Sequence, residues 1–317
     1  FAVFFYAFVS RQLKDSQISA MNTLNSSFQT QVDSAIRNLD AVSVNINYSN
    51  QSKTILDNSF NLNISSNMLS AMSDLFISLS GTELKADQVN LYDFSGYVLE
   101  AGISTIVKKT DGSKDEWIEV ARELEGKKVL TPPYCTREYT KTATYDQWFI
   151  SLYRSFNNQY KRGVGVIETA KQCKSVFKSI ITYKKKNHED AASIYVFDSN
   201  GDLIYPYDIS QEYKAALQPY YELTKGDDSA LTFISPLTGK TEYAAEAVSS
   251  YTYLTIQPES VVLAPVYNLL RILAAIVALF LTISIFISYR LSRSVVKPVK
   301  HLKHIIQRME LDTLGQE

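Results

Sequence analysis

The stretch from Val266 to Tyr289 constrains this chain more than any other. Ile272 to Ile287 reads ILAAIVALFLTISIFI, interrupted only by Thr282 and Ser284. With Tyr267 to Leu270 added, it reaches the roughly 20 residues that a helix needs to cross a bilayer core. The two hydroxyls bond back to helix carbonyls and do not break the pattern. Arg271, about one turn inside the outer end, can snorkel to the interface. A buried core helix is the bland alternative, and the flanking charges argue against it. Arg290, Arg293, Lys297, Lys300, Lys303 and Arg308 follow the segment with no acid among them, whereas no Lys or Arg occurs from Thr241 to Leu270. Positive charge marks the cytoplasmic side, so the chain before the helix is expected outside and the chain after it inside.

The first nine residues, FAVFFYAFV, are too short to span a bilayer alone. They read as the outer end of an earlier membrane helix, residues 1–10. Arg11 and Lys14 follow where a signal peptide would carry a small-residue cleavage site. The expected protein is multi-pass, with residues 11–265 extracytoplasmic, a transmembrane helix over 266–289 and residues 290–317 cytoplasmic.

Composition adds little to this division. A hydrophobic fraction of 45% and a charged fraction of 21% suit a folded protein, and a net charge of -1 gives no reason to expect nucleic acid. Tyrosine, with 21 copies, dominates the aromatics, as suits an exported domain. Cys135 and Cys173 would sit in a compartment that permits a disulfide. Pairing depends on a spatial approach that spacing does not show, and stays open.

Between the membrane segments, apolar residues recur at Ile18, Met21, Leu24, Phe28, Val32, Ile36, Leu39, Val42 and Ile46, three or four apart. The positions between them are Ser, Asn, Gln and Asp, so a long amphipathic helix is predicted. Its seam either packs on its own domain or meets a second copy; a homodimer is the expectation.

A strand–turn–strand pattern then appears twice. Val89–Tyr92 leads through Asp93-Phe94-Ser95-Gly96 to Tyr97–Leu99, and Ser193–Phe197 leads through Asp198-Ser199-Asn200-Gly201 to Leu203–Tyr205. Both read as hairpins. Copies about 105 residues apart are too distant for a solenoid and suggest two related modules. Helices over 116–124 and 211–225, and strands over 148–156, 164–168, 231–234, 242–248 and 253–256, complete them. The fold class is α+β with antiparallel sheets. Distal and proximal modules fall at about 50–180 and 188–258.

This layout resembles the double Cache domain, two PAS-like modules in series behind a long leading helix. The resemblance covers about Asn25 to Val266 and rests on LYDFSG, EWIEVARELEGKKVLTPPY, VGVIE, VFDSNGDLIYPY and LTIQPESVVLAP. It is most similar to the extracytoplasmic sensors of bacterial histidine kinases. After Tyr289, apolar residues at Val296, Val299, Leu302, Ile306 and Met309 behind Pro298 resemble the first helix of a HAMP linker. Proline is tolerated in a first helical turn. The same basic face also suits anionic lipid.

The resemblance implies ligand sensing outside the membrane, by a small molecule or a binding protein, and phosphoryl transfer to a response regulator through a kinase core that these residues do not include. The alternatives are a chemotaxis receptor, a membrane-bound cyclic-dinucleotide enzyme, or an adhesion or scaffolding module that binds no metabolite.

No catalytic constellation, cofactor motif or metal cluster is expected. His188 reads as a surface residue, and His301 and His304 as exposed residues of the linker helix. Asp198, Asn200 and Asp202 mimic a calcium loop but lack its distal Glu, so the hairpin turn is the expected reading. Lys184, Lys185 and Lys186 read as a solvated linker. A pocket needs an aromatic cup with a few polar groups. Trp117, Tyr134, Trp148, Tyr153 and Arg154 are the candidate ligand-binding residues, with core packing the competing role for each aromatic. Trp117 to Ala121 resembles part of the signature of amino-acid-binding double Cache domains. Asp115 stands where that signature has an arginine, and Thr110 where it has a tyrosine. An acid cannot make an arginine's bonds to a carboxylate, which argues against free amino acids.

Overall fold

The computed structural model describes residues 2–57, 66–81, 84–101, 106–136, 147–157, 163–187, 192–223, 230–296, 298–301 and 303–305. It divides into two units: Asp15–Glu259, and a second composed of Phe1–Lys14 with Ser260–Glu317.

The amphipathic seam forms helix α1 (Ala2–Tyr48), 47 residues without a break. Met21, Phe28, Val32, Ile36, Leu39, Val42 and Ile46 are buried. From Phe28 onward they belong to one core cluster shared with residues of both sheets described below. Of the two predicted roles for the seam, packing on its own domain is the one observed. Helices α2 (Asn50–Asp57) and α3 (Ser66–Ser80) follow, and Met72, Leu75 and Phe76 of α3 enter the same cluster.

The first sheet has seven strands: β1 (Gln88–Asp93), β2 (Tyr97–Ala101), β3 (Ile106–Lys109), β4 (Val129–Leu130), β5 (Tyr134–Thr136), β6 (Gln147–Asn157) and β7 (Gly163–Gln172). Their order is β3-β2-β1-β7-β6-β4, with β5 also on β6. Every pair is antiparallel. Period-two alternation divides the side chains between faces. Leu91, Leu99, Ile150, Leu152 and Ile167 join α1 in the main core. Tyr92, Val98, Tyr153 and Val166 form a second cluster with Trp117, Ile118 and Ala121 of helix α4 (Asp115–Glu123).

Helices α5 (Cys173–Val176) and α6 (Lys178–Asn187) lead to the second sheet. It comprises β8 (Ser193–Phe197), β9 (Leu203–Tyr205), β10 (Ala230–Ile234), β11 (Thr241–Val248) and β12 (Thr252–Pro258) in the order β10-β11-β12-β8-β9. Helix α7 (Gln211–Leu223) lies between β9 and β10, and Leu217 and Tyr220 pack with Tyr195, Phe197 and Leu254.

The two hairpins share their turn chemistry. Asp93 Oδ1 accepts the N–H groups of Ser95 at 3.0 Å and Tyr97 at 2.7 Å. Asp198 Oδ1 accepts those of Asn200 and Asp202, both at 2.8 Å. Gly96 and Gly201 follow at φ of 87° and 91°, the left-handed region that a Cβ disfavours. The Asp198 carboxylate is thus an Asx-turn acceptor, as the hairpin reading expects. The solvated reading of the lysine run needs correction at one residue. Lys185 and Lys186 are exposed, but Lys184 is half-buried with Nζ 5.6 Å from the centre of the Tyr205 ring. Burial holds its pKa below the usual lysine value. His188 lies outside the described residues.

The short helix α8 (Glu259–Val262) follows β12, and in the second unit helix α9 (Ala264–Leu291) has 28 residues, about 42 Å at 1.5 Å per residue. Among the described residues it belongs to the one helix long and apolar enough to cross a membrane. Phe280, Ile285 and Phe286 point outward and are exposed. A π-helical turn, Ser292–Val296, follows. His301 and His304 are exposed on helical backbone, whereas Leu302, Ile306 and Met309 lie outside the described residues.

Leu39 is fully buried in the α1 seam, whereas Gln31 on the same helix is exposed. Leu39→Ala is expected to lower unfolding stability by about 3 kcal/mol. Gln31→Ala should change it by less than about 0.5 kcal/mol. Denaturant unfolding of the two variants tests this; equal effects would mean that the seam does not carry the core.

Candidate functional site

A cavity of about 300 Å³ opens on the α4 side of the first sheet. Ser113, Lys114 and Trp117 line it from the start of α4, Thr131 and Pro132 from the β4–β5 connection, Tyr134, Cys135 and Thr136 from β5, and Tyr153 from β6. The Trp117 ring stacks on Tyr153 with centroids 6.4 Å apart and planes inclined by 20°. Thr131 fixes the connection to β6: its N–H donates to the Ser151 carbonyl at 2.9 Å, and its Oγ1 accepts the Ser151 N–H at 3.0 Å.

Behind these walls lies Glu168 of β7, with no exposed surface. Oε1 accepts hydrogen bonds from Ser151 Oγ at 2.6 Å and the Tyr134 hydroxyl at 3.0 Å. Oε2 accepts from the Tyr92 hydroxyl at 2.7 Å and Asn90 Nδ2 at 2.8 Å. Lys114 Nζ donates to both oxygens, at 3.3 and 3.2 Å. It also lies 5.6 Å from the centre of the Tyr134 ring, within cation–π range. Burial by itself pushes the Glu168 pKa up. The Lys114 charge and the hydrogen bonds from Ser151, Tyr92 and Asn90 outweigh it and bring the group down to about 2. Tyr92 and Tyr153 move the other way: burial first, and then the Glu168 charge, raise both phenols.

Of the five residues expected at a site, the structure brings Trp117, Tyr134 and Tyr153 together around this cavity. Trp148 and Arg154 do not join them. Both occupy even-numbered positions of β6, on the face that carries Ile150 and Leu152 into the main core, while Ser151 and Tyr153 face the cavity. Trp148 packs 5.8 Å from Tyr207, in an aromatic group that also holds Phe177 and Tyr205. Arg154 donates to Ser43 Oγ at 3.0 Å and also to Asp40 of α1 and the Gly126 carbonyl.

Lys114 and Glu168 were not among the expected residues. Lys114 sits one position before Asp115, so a cation does reach the cavity from this part of the chain. The VGVIE strand carries its acid at a position where apolar residues would otherwise be expected, and that is the signal by which Glu168 stands out. The two cysteines form no disulfide: Cys135 is exposed and Cys173 buried. Strand β6 separates them, since Cys135 pairs opposite Trp148 while Gln172, just before Cys173, pairs opposite Phe149.

A second cavity of about 400 Å³ lies on the other side of the β4–β5 connection. Trp117, Thr131 and Pro132 line it together with Asp198, Asn200 and Tyr251 of the second sheet's turns. The two cavities share those three residues.

No family model matches the chain, and no curated protein matches it either. Solved structures do resemble it. The sensory domain of the Campylobacter jejuni chemoreceptor Tlp3, with isoleucine bound, superposes with a TM-score of 0.54 at 14% identity, covering 80% of this chain and 98% of that one. The periplasmic sensory domain of the C. jejuni chemoreceptor Tlp1 gives 0.55 at 14% identity, covering 80% and 99%. The extracellular domain ascribed to histidine kinase vpHK1S-Z8 gives 0.52 at 11% identity, covering 80% and 93%. The fold is therefore that of the sensory domains of chemoreceptors and of a histidine kinase.

Glu168 also sets a pH response. A carboxyl held below its ordinary value of 4.5 contributes stability above that pH and loses it as pH falls toward about 2. The unaltered chain should therefore lose stability across this window more steeply than Glu168→Gln. Parallel acid titrations of unfolding would count against a charged, paired Glu168.

Proposed function

We propose that this chain is the extracytoplasmic sensing and membrane-signalling part of a bacterial receptor, and that its ligand is a small organic molecule held in the cavity of the first module. The observation that carries this reading is the aromatic cavity of Trp117, Tyr134 and Tyr153 in a domain with the fold of sensory and ligand-binding domains. Its volume, about 300 Å³, suits a small metabolite. The Tlp3 sensory domain holds isoleucine in one such structure and L-valine in another, which favours direct recognition of a small molecule.

The segment after α9 would form the first helix of a HAMP linker, and a kinase core beyond it would pass a phosphoryl group to a response regulator. Residues 1–10 would belong to a first membrane helix, making the protein multi-pass. A homodimer is the expected signalling form. The second reading is a chemotaxis receptor with the same outer domain, favoured by the resemblance to Tlp1 and Tlp3. Either output requires that the ligand bind two packing states with different affinity. The β4–β5 connection is the natural relay, because Thr131 and Pro132 face the ligand cavity on one side and the second sheet's turns on the other.

With two tryptophans in the chain, Trp148→Phe leaves Trp117 as the sole indole reporter. In lipid nanodiscs, titration with a library of amino acids, amines, organic acids, saccharides and polyols is expected to give a saturable change in Trp117 emission for at least one compound. Tyr134→Ala should weaken that compound about tenfold or more, equivalent to about 1.4 kcal/mol. If no compound in the library gives a saturable change, direct sensing in this cavity is wrong.

A further inference from the structure

We propose that Lys114 is a tethered cation filling an ammonium subsite built around Glu168, so that the cavity selects uncharged ligands. The inference rests on the cavity being the receptor's ligand site and concerns which molecules can enter it.

Glu168 is fully buried, and a carboxylate there demands compensation. Asn90, Tyr92, Tyr134 and Ser151 supply four neutral hydrogen bonds from strands of the first sheet. The compensating charge comes from elsewhere, from the residue just before α4. Lys114 reaches both carboxylate oxygens, and its side chain forms part of the cavity lining. The carboxylate already accepts three hydrogen bonds on each oxygen, more than its roughly four lone-pair sites ordinarily take. A ligand ammonium would meet Lys114 in the place where it needs an acid. A ligand carboxylate approaching Lys114 would face Glu168 directly behind it. An uncharged polyol, sugar or amide meets neither opposition, and Trp117 offers it a flat apolar surface.

Removing the tether should convert the site. In Lys114→Ala the carboxylate keeps its neutral donors, loses its cation and gains an opening to the cavity the width of the missing side chain. A free small amine then has both the charge and the space to take the place of Nζ.

The test is melting of the full chain in nanodiscs with ethylammonium chloride, against sodium chloride at equal ionic strength. Lys114→Ala is expected to melt below the unaltered chain and to rise by about 5 °C in saturating ethylammonium. The unaltered chain and Lys114→Ala/Glu168→Gln should not respond. Lys114→Gln, which keeps a hydrogen-bond donor without the charge, provides a second background should the alanine variant not fold. The proposal falls if neither single variant is rescued, or if the unaltered chain takes up ethylammonium equally well. Library titration through Trp117 separates this from the receptor reading. Binding of an amine or an acid in the unaltered cavity would overturn the uncharged-ligand inference and leave direct sensing standing.

Discussion

The apolar seam of α1 is the constraint on which the outer domain depends. Each sheet carries an apolar face that must leave water, at about 25 cal/mol per Å². Leu91, Ile150 and Ile167 of the first sheet and Ile194, Val196 and Tyr253 of the second enter one cluster with Phe28 through Ile46 of the helix. Polar contacts fix the register of the helix on that surface. Asn25 Nδ2 donates to the Ala245 carbonyl at 2.7 Å, and Thr169 Oγ1 donates to the Leu39 carbonyl at 3.2 Å. The two sheets therefore share a core that neither closes alone.

Strand β6 connects this core to the site. Its alternate residues serve different ends: Ile150, Leu152 and Phe156 pack in the main cluster, while Ser151 and Tyr153 face the cavity and Glu168. Arg154 belongs to the first set, tying the strand to α1 through Asp40 and Ser43. A ligand that displaced Tyr153 would load a strand whose opposite face is anchored on the long helix. The same strand thus offers a physical route from cavity to helix, parallel to the β4–β5 connection that faces the second sheet.

Much of the architecture was legible because it is periodic. The three- and four-residue steps of the α1 seam, the paired Asp-x-x-Gly hairpins and the uninterrupted apolar run of α9 are local patterns, and local patterns map directly onto helix, turn and membrane-spanning candidates. Of the five residues read as a candidate site, Trp117, Tyr134 and Tyr153 line one cavity, while Trp148 and Arg154 lie on the other face of β6. An aromatic or basic residue in a strand does not declare which face is the core when both faces are covered. Lys114 and Glu168 were missed because they are 54 positions apart. Nothing in either local sequence announces the other.

What the sequence by itself determined is the long leading helix, the α+β class, the duplicated hairpin and the position of the apolar helix. Each follows from the spacing of apolar residues and the chemistry of single turns, which neighbouring residues alone settle. Only the tertiary structure decided that the α1 seam packs on its own sheets, that β6 turns Tyr153 toward the cavity and Arg154 away from it, and that Lys114 neutralises Glu168. Those outcomes depend on the register between strands distant in sequence. They depend also on the cost of burying a charge, which is met only when the fold brings its partner within hydrogen-bond reach.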